Sequence, residues 1–389
     1  MIPINGFLGG DQMDTGRKTG AAKIIIRLVI LLMLALILLF VIKDYNESNA
    51  GDLPSWLSSL VGDDKETATK ISFAPDANNT FLVYQDGLAV LSSTELVLYD
   101  VSGDESLSQS TGYTRPAARS AGEFLLTYDI GGKSICYIRN KAVKTNMKLN
   151  YAILTADIGK DGWFLVTSEE FGSKATVTVY NPEMTQVYKW PSSERYITCA
   201  AIADDHSGMA FGGLSQKDAR IQSSVVMLHL DSAEPYSVIE FDDELILDMD
   251  YLPDGSLAVL TESCILTVDP SGRERGRYEF DNSLFREYSF NGDGFILLRL
   301  NKNGVGETSE VLVLNYDAGL EHSVSLDNIY SISCSGKYAG VLTSDHIIVY
   351  NSSLEEQFSS SISAGSKKLL MREDGSAIVL SSSEASIYR

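Results

Sequence analysis

Apolar positions fall into three different patterns along the chain. The first is unbroken: residues 24–42 read IIIRLVILLMLALILLFVI, nineteen residues in which Arg27 is the only polar one. The second has helical spacing, with Leu53, Trp56, Leu57, Leu60 and Val61 at i, i+3, i+4, i+7 and i+8. The third fills the remainder with short apolar runs between turns rich in Gly, Asp and Ser, which is the pattern of strands.

The first pattern predicts a transmembrane helix. At about 1.5 Å per residue its length spans the ~30 Å hydrocarbon core, and Arg27 lies close enough to one end to snorkel. A cleaved signal peptide would carry a shorter apolar stretch ending in small residues. Here Phe40, Val41, Ile42 and Lys43 close the stretch, so an uncleaved anchor is expected. Arg17, Lys18, Lys23 and Arg27 outnumber the single nearby Lys43 on the far side, which keeps residues 1–23 in the cytoplasm and exports everything after the span. The expected location is therefore the cytoplasmic membrane, crossed once, with the bilayer as the partner of residues 24–42.

Residues 43–66 are rich in Asn, Ser, Gly and Asp and read as a linker. Within it Asp52 is placed as an N-cap and Pro54 in the first turn of a short amphipathic helix. Two turns alone are marginal in water. The helix either packs on the domain that follows or lies in the membrane interface with Trp56 at headgroup level. Arg27, Lys43 and Trp56 are the candidate interface residues.

From Gln85 onward one unit recurs: a turn ending in Gly, an apolar strand, a loop, and a second strand closing on an aromatic residue with Asp or Asn. The turn glycines are Gly87, Gly122, Gly162, Gly208, Gly255, Gly294, Gly336 and Gly375, spaced 35 to 47 residues apart and about 41 on average. That period is the size of a propeller blade. Six of the eight second strands end on Asp or Asn, a residue whose side chain caps the following turn. Eight hairpins flanked by further strands make eight four-stranded sheets, each burying its faces against its neighbours. The reading is an all-β, eight-bladed propeller over residues 67–389, with residues 68–73 (ATKISF) supplying the strand that the last copy lacks. Seven blades is the alternative if the first, shortest copy is irregular.

These repeats resemble the WD-repeat and quinoprotein-dehydrogenase-like propellers. Residues 179–190, VYNPEMTQVYKW, are closest to the blade ending of the latter. Anchor, linker and acidic propeller together are similar to a family of membrane-anchored propellers of unassigned function in Gram-positive anaerobes. The similarity covers about residues 20–389 and implies fold and exported location, but no activity. The quinoprotein blades repeat Gly-x-x-x-Trp, whereas here only Trp190 remains, without its glycine, so no quinone cofactor is expected.

Charge and composition narrow the functional classes. Lys and Arg number 31 against 52 Asp and Glu, a net charge of −21, and no basic cluster offers a footprint for nucleic acid. His206, His229, His322 and His346 are far apart in sequence and form no ligand spacing, so neither metal nor cofactor is expected. Cys136, Cys199, Cys264 and Cys334 fall in different repeats at strand positions, as buried thiols do. There is no G-x-S-x-G, and Gly131-Gly132-Lys133-Ser134 joins two strands, not a strand and a phosphate-holding helix. Asp248 and Asp250 alternate on one strand and so share a side, either lining a central channel or standing at a solvated strand end.

The loops from each outer strand to the next inner strand gather at one mouth of a propeller. They carry Tyr113, Arg115, Tyr151, Arg195, Tyr196, Phe285, Arg286, Tyr330 and Lys367. Aromatic residues and Arg are enriched in binding hot spots; the alternative is that the rings wedge between blades and the cations balance nearby acids. Two functional readings follow. The first is a non-enzymatic binding or scaffold module for a cell-envelope protein or glycan. The second is an exported enzyme, a hydrolase or dehydrogenase, using Asp248, Asp250 and other acids of raised pKa at the channel mouth.

Overall fold

The computed structural model describes residues 69–217, 219–281, 283–301 and 308–389. The expected tail at 1–23, the span at 24–42 with Arg27, and the linker at 43–66 with Lys43 and Trp56 lie outside the described residues. Among those described, no helix is long and apolar enough to cross a membrane.

Among the described residues thirty-two strands, β1 to β32 in chain order, form eight four-stranded antiparallel sheets. Seven sheets are simple meanders of four consecutive strands, so the chain builds an eight-bladed propeller. The eighth is composite. Its strands β30 (Lys368–Met371), β31 (Ala377–Leu380) and β32 (Glu384–Tyr388) are completed by β1 (Lys70–Ser72), with Ile71 opposite Ala385. One blade thus joins both ends of the described chain and removes an open edge.

Position within a blade sets the burial of each strand. In five of the eight blades the second strand, such as β3 (Gly87–Leu91), β11 (Phe164–Ser168) or β19 (Leu257–Thr261), is buried at every residue. Both of its faces meet neighbouring blades, which explains continuous apolar runs such as LAVL where a half-exposed strand would alternate. The outer strand β9 (Ala142–Lys148) does alternate, exposing every second residue. The cores lie between blades: Ile71, Leu88, Val90, Ile378 and Ile387 of the last and first blades form one cluster.

Tyrosines stitch adjacent blades. Tyr84 donates to the Glu123 carbonyl (2.7 Å), Tyr137 to Gly162 (3.1 Å) and Tyr188 to Ser232 (2.6 Å), each in the following blade. A phenol buries a ring and still satisfies its hydroxyl at the polar turn of the next blade. That gives these three tyrosines a structural use.

The turn glycines serve two purposes. Gly255 has φ +82°, which only glycine adopts freely. Gly87 instead lies against the Tyr99 carbonyl, where a Cβ would overlap the oxygen. Three of the six Asp and Asn residues expected to cap third-to-fourth strand turns do so, Asp100, Asn181 and Asn351, and Asp269 caps the turn of the fifth blade in the same way. Asp269 Oδ1 accepts from the Ser271 and Arg273 amides, and Asn351 Oδ1 from those of Ser353 and Glu355. In the sixth blade the cap is Asn315, which binds the amides of Asp317 and Gly319, and not the Asp317 that ends the run.

A first prediction arises here. Gly340 lies in β27 (Tyr338–Leu342), where an added Cβ would overlap Met371 Sδ and stand 2.8 Å from Leu369 Cδ2. Overpacking of this kind costs about 1–3 kcal/mol, so Gly340→Ala should lower the urea midpoint. An unchanged midpoint would show that Met371 swings clear.

Candidate functional site

The inner strands of the blades are β2 (Thr80–Tyr84), β6 (Pro116–Ala121), β10 (Ile153–Ile158), β14 (Tyr196–Ile202), β18 (Ile246–Tyr251), β22 (Leu284–Ser289), β26 (Ser331–Ser335) and β30. They surround the axis, and their side chains meet across it. Arg119 of the second blade reaches Asp157 of the third (3.9 Å) and Asp248 of the fifth (3.7 Å). Tyr288 of the sixth donates its hydroxyl to Asp248. Met249, between the two aspartates, is buried in the blade core, so Asp248 and Asp250 both face the channel.

Neighbouring inner strands are not bonded as a sheet, and channel side chains bridge them instead. Asp157 Oδ2 accepts from the Ile202 amide of the next blade (3.0 Å). Glu287 accepts from the Ile332 amide and from Ser331 Oγ, both at 2.8 Å. Burial raises the Asp157 carboxyl to about 6, against the lowering pull of Arg119 and of the Ile202 and Ile158 amides. Enclosure by the inner strands also raises Asp250, and the Asp157 charge adds to that rise while Arg119 opposes it. Asp250 and Arg119 are nevertheless accessible to solvent, Arg119 over 46% of its side chain. The channel is therefore both confined and wet, and water screens its charges more than a dry core would.

One irregularity shapes the mouth. In four consecutive blades the inner strand carries a bulge near its start, between Ile153 and Thr155, Ile197 and Cys199, Ile246 and Asp248, and Phe285 and Glu287. The other four inner strands pair in unbroken register. A bulge leaves one residue unpaired and re-aims its side chain. The residues so placed are Leu154, Thr198, Leu247 and Arg286. The first three line a cavity of about 380 Å³ at the channel mouth, together with Arg119, Thr155 and Asp248.

The nine rim residues expected from the sequence divide. Tyr113 is not on the rim surface: it is buried, its hydroxyl bonded to Thr127 (3.2 Å to Oγ1), and burial pushes that hydroxyl up to about 12. Phe285 packs between Phe280 and Tyr288 as an inter-blade wedge. Arg195 lies over Gly213 with its guanidinium 3.6 Å from Glu194. Arg115, Tyr151, Tyr196, Arg286, Tyr330 and Lys367 are exposed on the rim, with Lys174 Nζ 5.2 Å over the Tyr196 ring. Lys367 belongs to a separate cleft between the last and first blades, shared with Asp76 and Phe81. Arg119, Asp157, Leu154, Thr198 and Leu247 were not singled out from the sequence.

All four cysteines are buried and unbridged. Burial pushes the thiol of Cys136 up to about 11 and those of Cys199 and Cys334 to about 12, which disfavours thiolate chemistry. His206 stacks on Trp163 and pairs with Asp161, while His229 stacks on Tyr236. Among the described residues no group of His, Cys, Asp or Glu is arranged to hold a metal. Trp190 packs on Phe211 of the next blade and donates to the Ala233 carbonyl (3.0 Å), an inter-blade wedge.

The model of one family, Family of unknown function (DUF5711), matches residues 63–388, essentially the whole propeller. The chain belongs to the DUF5711 family. No curated protein matches this DUF5711 chain by sequence. Solved structures resemble it in fold. BamB from Moraxella catarrhalis superposes with a TM-score of 0.54 at 13% identity, covering 84% of this chain and 99% of its own. The C-terminal WD40 domain of Sif2 gives 0.58 at 11% identity, covering 83% and 97%. Saccharomyces cerevisiae Sqt1 gives 0.57 at 10%, covering 83% and 99%. Identities this low establish the propeller alone, because one fold hosts many functions.

Proposed function

We propose that this DUF5711 chain is a non-enzymatic binding scaffold, anchored in the cytoplasmic membrane by residues 24–42 and presenting its propeller outside the cell to a cell-envelope protein. The observation that carries the reading is the distribution of exposed apolar side chains. Eleven large ones are exposed among the described residues, and seven belong to the mouth formed by the outer-to-inner loops and the second-to-third strand turns: Tyr151, Phe171, Tyr196, Ile221, Leu247, Leu284 and Tyr330. The other four, Val101, Val187, Val238 and Leu320, lie towards the opposite mouth or on outer strands. An apolar arc over the third to seventh blades, with tyrosines in it, is what a protein interface supplies. A glycan surface would call for more hydrogen-bonding side chains than this arc offers.

Proximity labelling in the native host tests the reading with the full-length protein and a Phe171→Ala, Tyr196→Ala, Tyr330→Ala variant. All three rings are exposed, so the fold should persist, and specific envelope-protein neighbours should disappear. Neighbours that persist would remove this mouth as the interface. Trypsin added to wall-stripped intact cells should cut the propeller; protection would place it inside and overturn the topology.

The enzyme reading has one observation in its favour, the raised carboxyls of Asp157 and Asp250. Against it, Asp157 is already engaged by the Ile202 amide and lies beside Arg119. Both interactions have a sufficient structural purpose in joining blades.

A further inference from the structure

The cleft between the last and first blades is separate from the channel and takes no part in the scaffold reading. At about 440 Å³ it falls within the ~300–1,000 Å³ range of ligand pockets. One wall is the segment joining β1 to β2 together with Phe81 of β2. The other is Lys367, the start of β30 and the turn after β31. Pro75, Ala77, Phe81 and Leu380 make much of the lining apolar, and Phe81 is held beside Phe73 at a ring separation of 5.2 Å.

The charges in this cleft do not cancel. Asp76, the single carboxylate of the lining, accepts from the amides of Asn78 (2.8 Å) and Ser93 (3.0 Å). Those bonds hold its carboxyl below the ordinary range, with no part played by a lysine. Among the described residues neither Lys367 nor Lys368 forms an ion pair or a side-chain hydrogen bond. Burial raises the Glu287 carboxyl in the channel, and Lys368 is among the groups that oppose the rise, so part of the Lys368 charge is answered there. Lys367 is left without a counter-charge.

One uncompensated cation beside an apolar wall complements a monoanion on an apolar body. A phosphate dianion would call for converging backbone N–H groups, and the Asn78 and Ser93 amides are already committed to Asp76. A protein seated on the apolar arc does not need this cleft. None of the exposed large apolar side chains comes from the eighth blade, and Val101, the one from the first, lies towards the opposite mouth. We infer that the seam cleft holds a small organic carboxylate, its charge at Lys367 and its apolar body against Phe81 and Leu380.

Equilibrium dialysis of the full-length protein in lipid nanodiscs tests this, with 3-phenylpropionate as the probe and protein-free nanodiscs correcting for uptake by lipid. The probe should bind about tenfold tighter than 3-phenylpropan-1-ol, which lacks the charge, and than propionate, which lacks the ring. Lys367→Met should weaken binding about fivefold, and Lys367→Arg should keep it within about twofold. Ala77→Glu supplies a carboxylate from the chain itself and should weaken binding as Lys367→Met does. Both positions are exposed, so the three variants should melt like the native protein. The inference is overturned by an absence of saturable binding to the native chain, by equal binding of the alcohol, or by native-like binding to Lys367→Met. Displacement by inorganic phosphate at the probe's own concentration overturns it as well, since a plain anion site makes no use of the apolar wall. None of these outcomes bears on the scaffold reading, which is carried by Phe171, Tyr196 and Tyr330 on other blades.

Discussion

An Ile71→Asp chain should melt on the order of 10 °C below the native protein, taking about 2 °C per kcal/mol for a domain of this size, and should associate through its open sheet. Ile71 is 2% exposed, at the centre of the three-residue β1, and packs with Leu88, Val90, Ile378 and Ile387. Removing an aliphatic side chain from such a core costs about 2–4 kcal/mol, and an unpaired carboxylate adds a desolvation penalty of a few more. Total stabilities are only about 5–15 kcal/mol, so much of the margin goes at one position. With β1 displaced, β32 becomes an unpaired edge beside an apolar core, which recruits other chains. Ser72 is the control: it is adjacent in the same strand but exposed, and Ser72→Asp should melt like the native protein. Circular dichroism melts with size-exclusion chromatography read both effects, and equal melting of the two variants would mean that β1 is dispensable to the ring.

Blade number was legible because each blade imposes the same local demand on its first turn. Six of the eight turn glycines have positive φ, and Gly87 and Gly208 instead face a carbonyl oxygen too closely for a Cβ. Two unrelated physical reasons select the same residue, so its spacing survives where the rest of the repeat has diverged. The caps were legible only in part: Asp100, Asn181 and Asn351 cap their turns, whereas Asn315 shows that the capping position can precede the end of an apolar run.

The candidate site was much less legible. Period-two reasoning assigns faces only while the register holds. Leu154 and Leu247 have the composition of core residues, and one inserted residue in each strand turns them to the channel mouth. Asp248 and Asp250 lie beyond the bulge, where alternation resumes, and their shared side was therefore readable. Arg119 sits in PAARSA, a strand too short of large apolar residues to show alternation. The rim residues were chosen by loop position and residue type, which cannot separate an exposed Tyr330 from a Tyr113 whose hydroxyl has a buried partner.

Arg119→Met should produce a loss of stability that depends on pH, largest in neutral buffer and diminishing towards acid. The guanidinium lies among Asp157, Asp248 and Asp250, and its removal leaves three carboxylates facing one another. Breaking a buried pair costs about 3–5 kcal/mol; with 46% of the Arg119 side chain open to channel water, screening brings the expected loss to about 1–3 kcal/mol. The sign with pH follows from Asp157. Its folded-state carboxyl stands near 6, above the ordinary 3.8, so its protonated form favours folding. That contribution is complete below pH 3.8 and is lost as pH rises through 6. Without Arg119 to lower them, the channel carboxyls rise further and their window of loss extends upwards, so the variant falls most behind the native protein above pH 6. Urea midpoints at pH 5.5 and 7.5 should show the gap between variant and native protein narrowing at the lower pH. The exposed rim residue Arg115 provides the comparison, since Arg115→Met removes the same charge from the chain without touching the channel. A gap of equal size at both pH values would mean that Arg119 acts through the packing of its aliphatic stem, and that the carboxylates beneath the mouth do not depend on it for their charge.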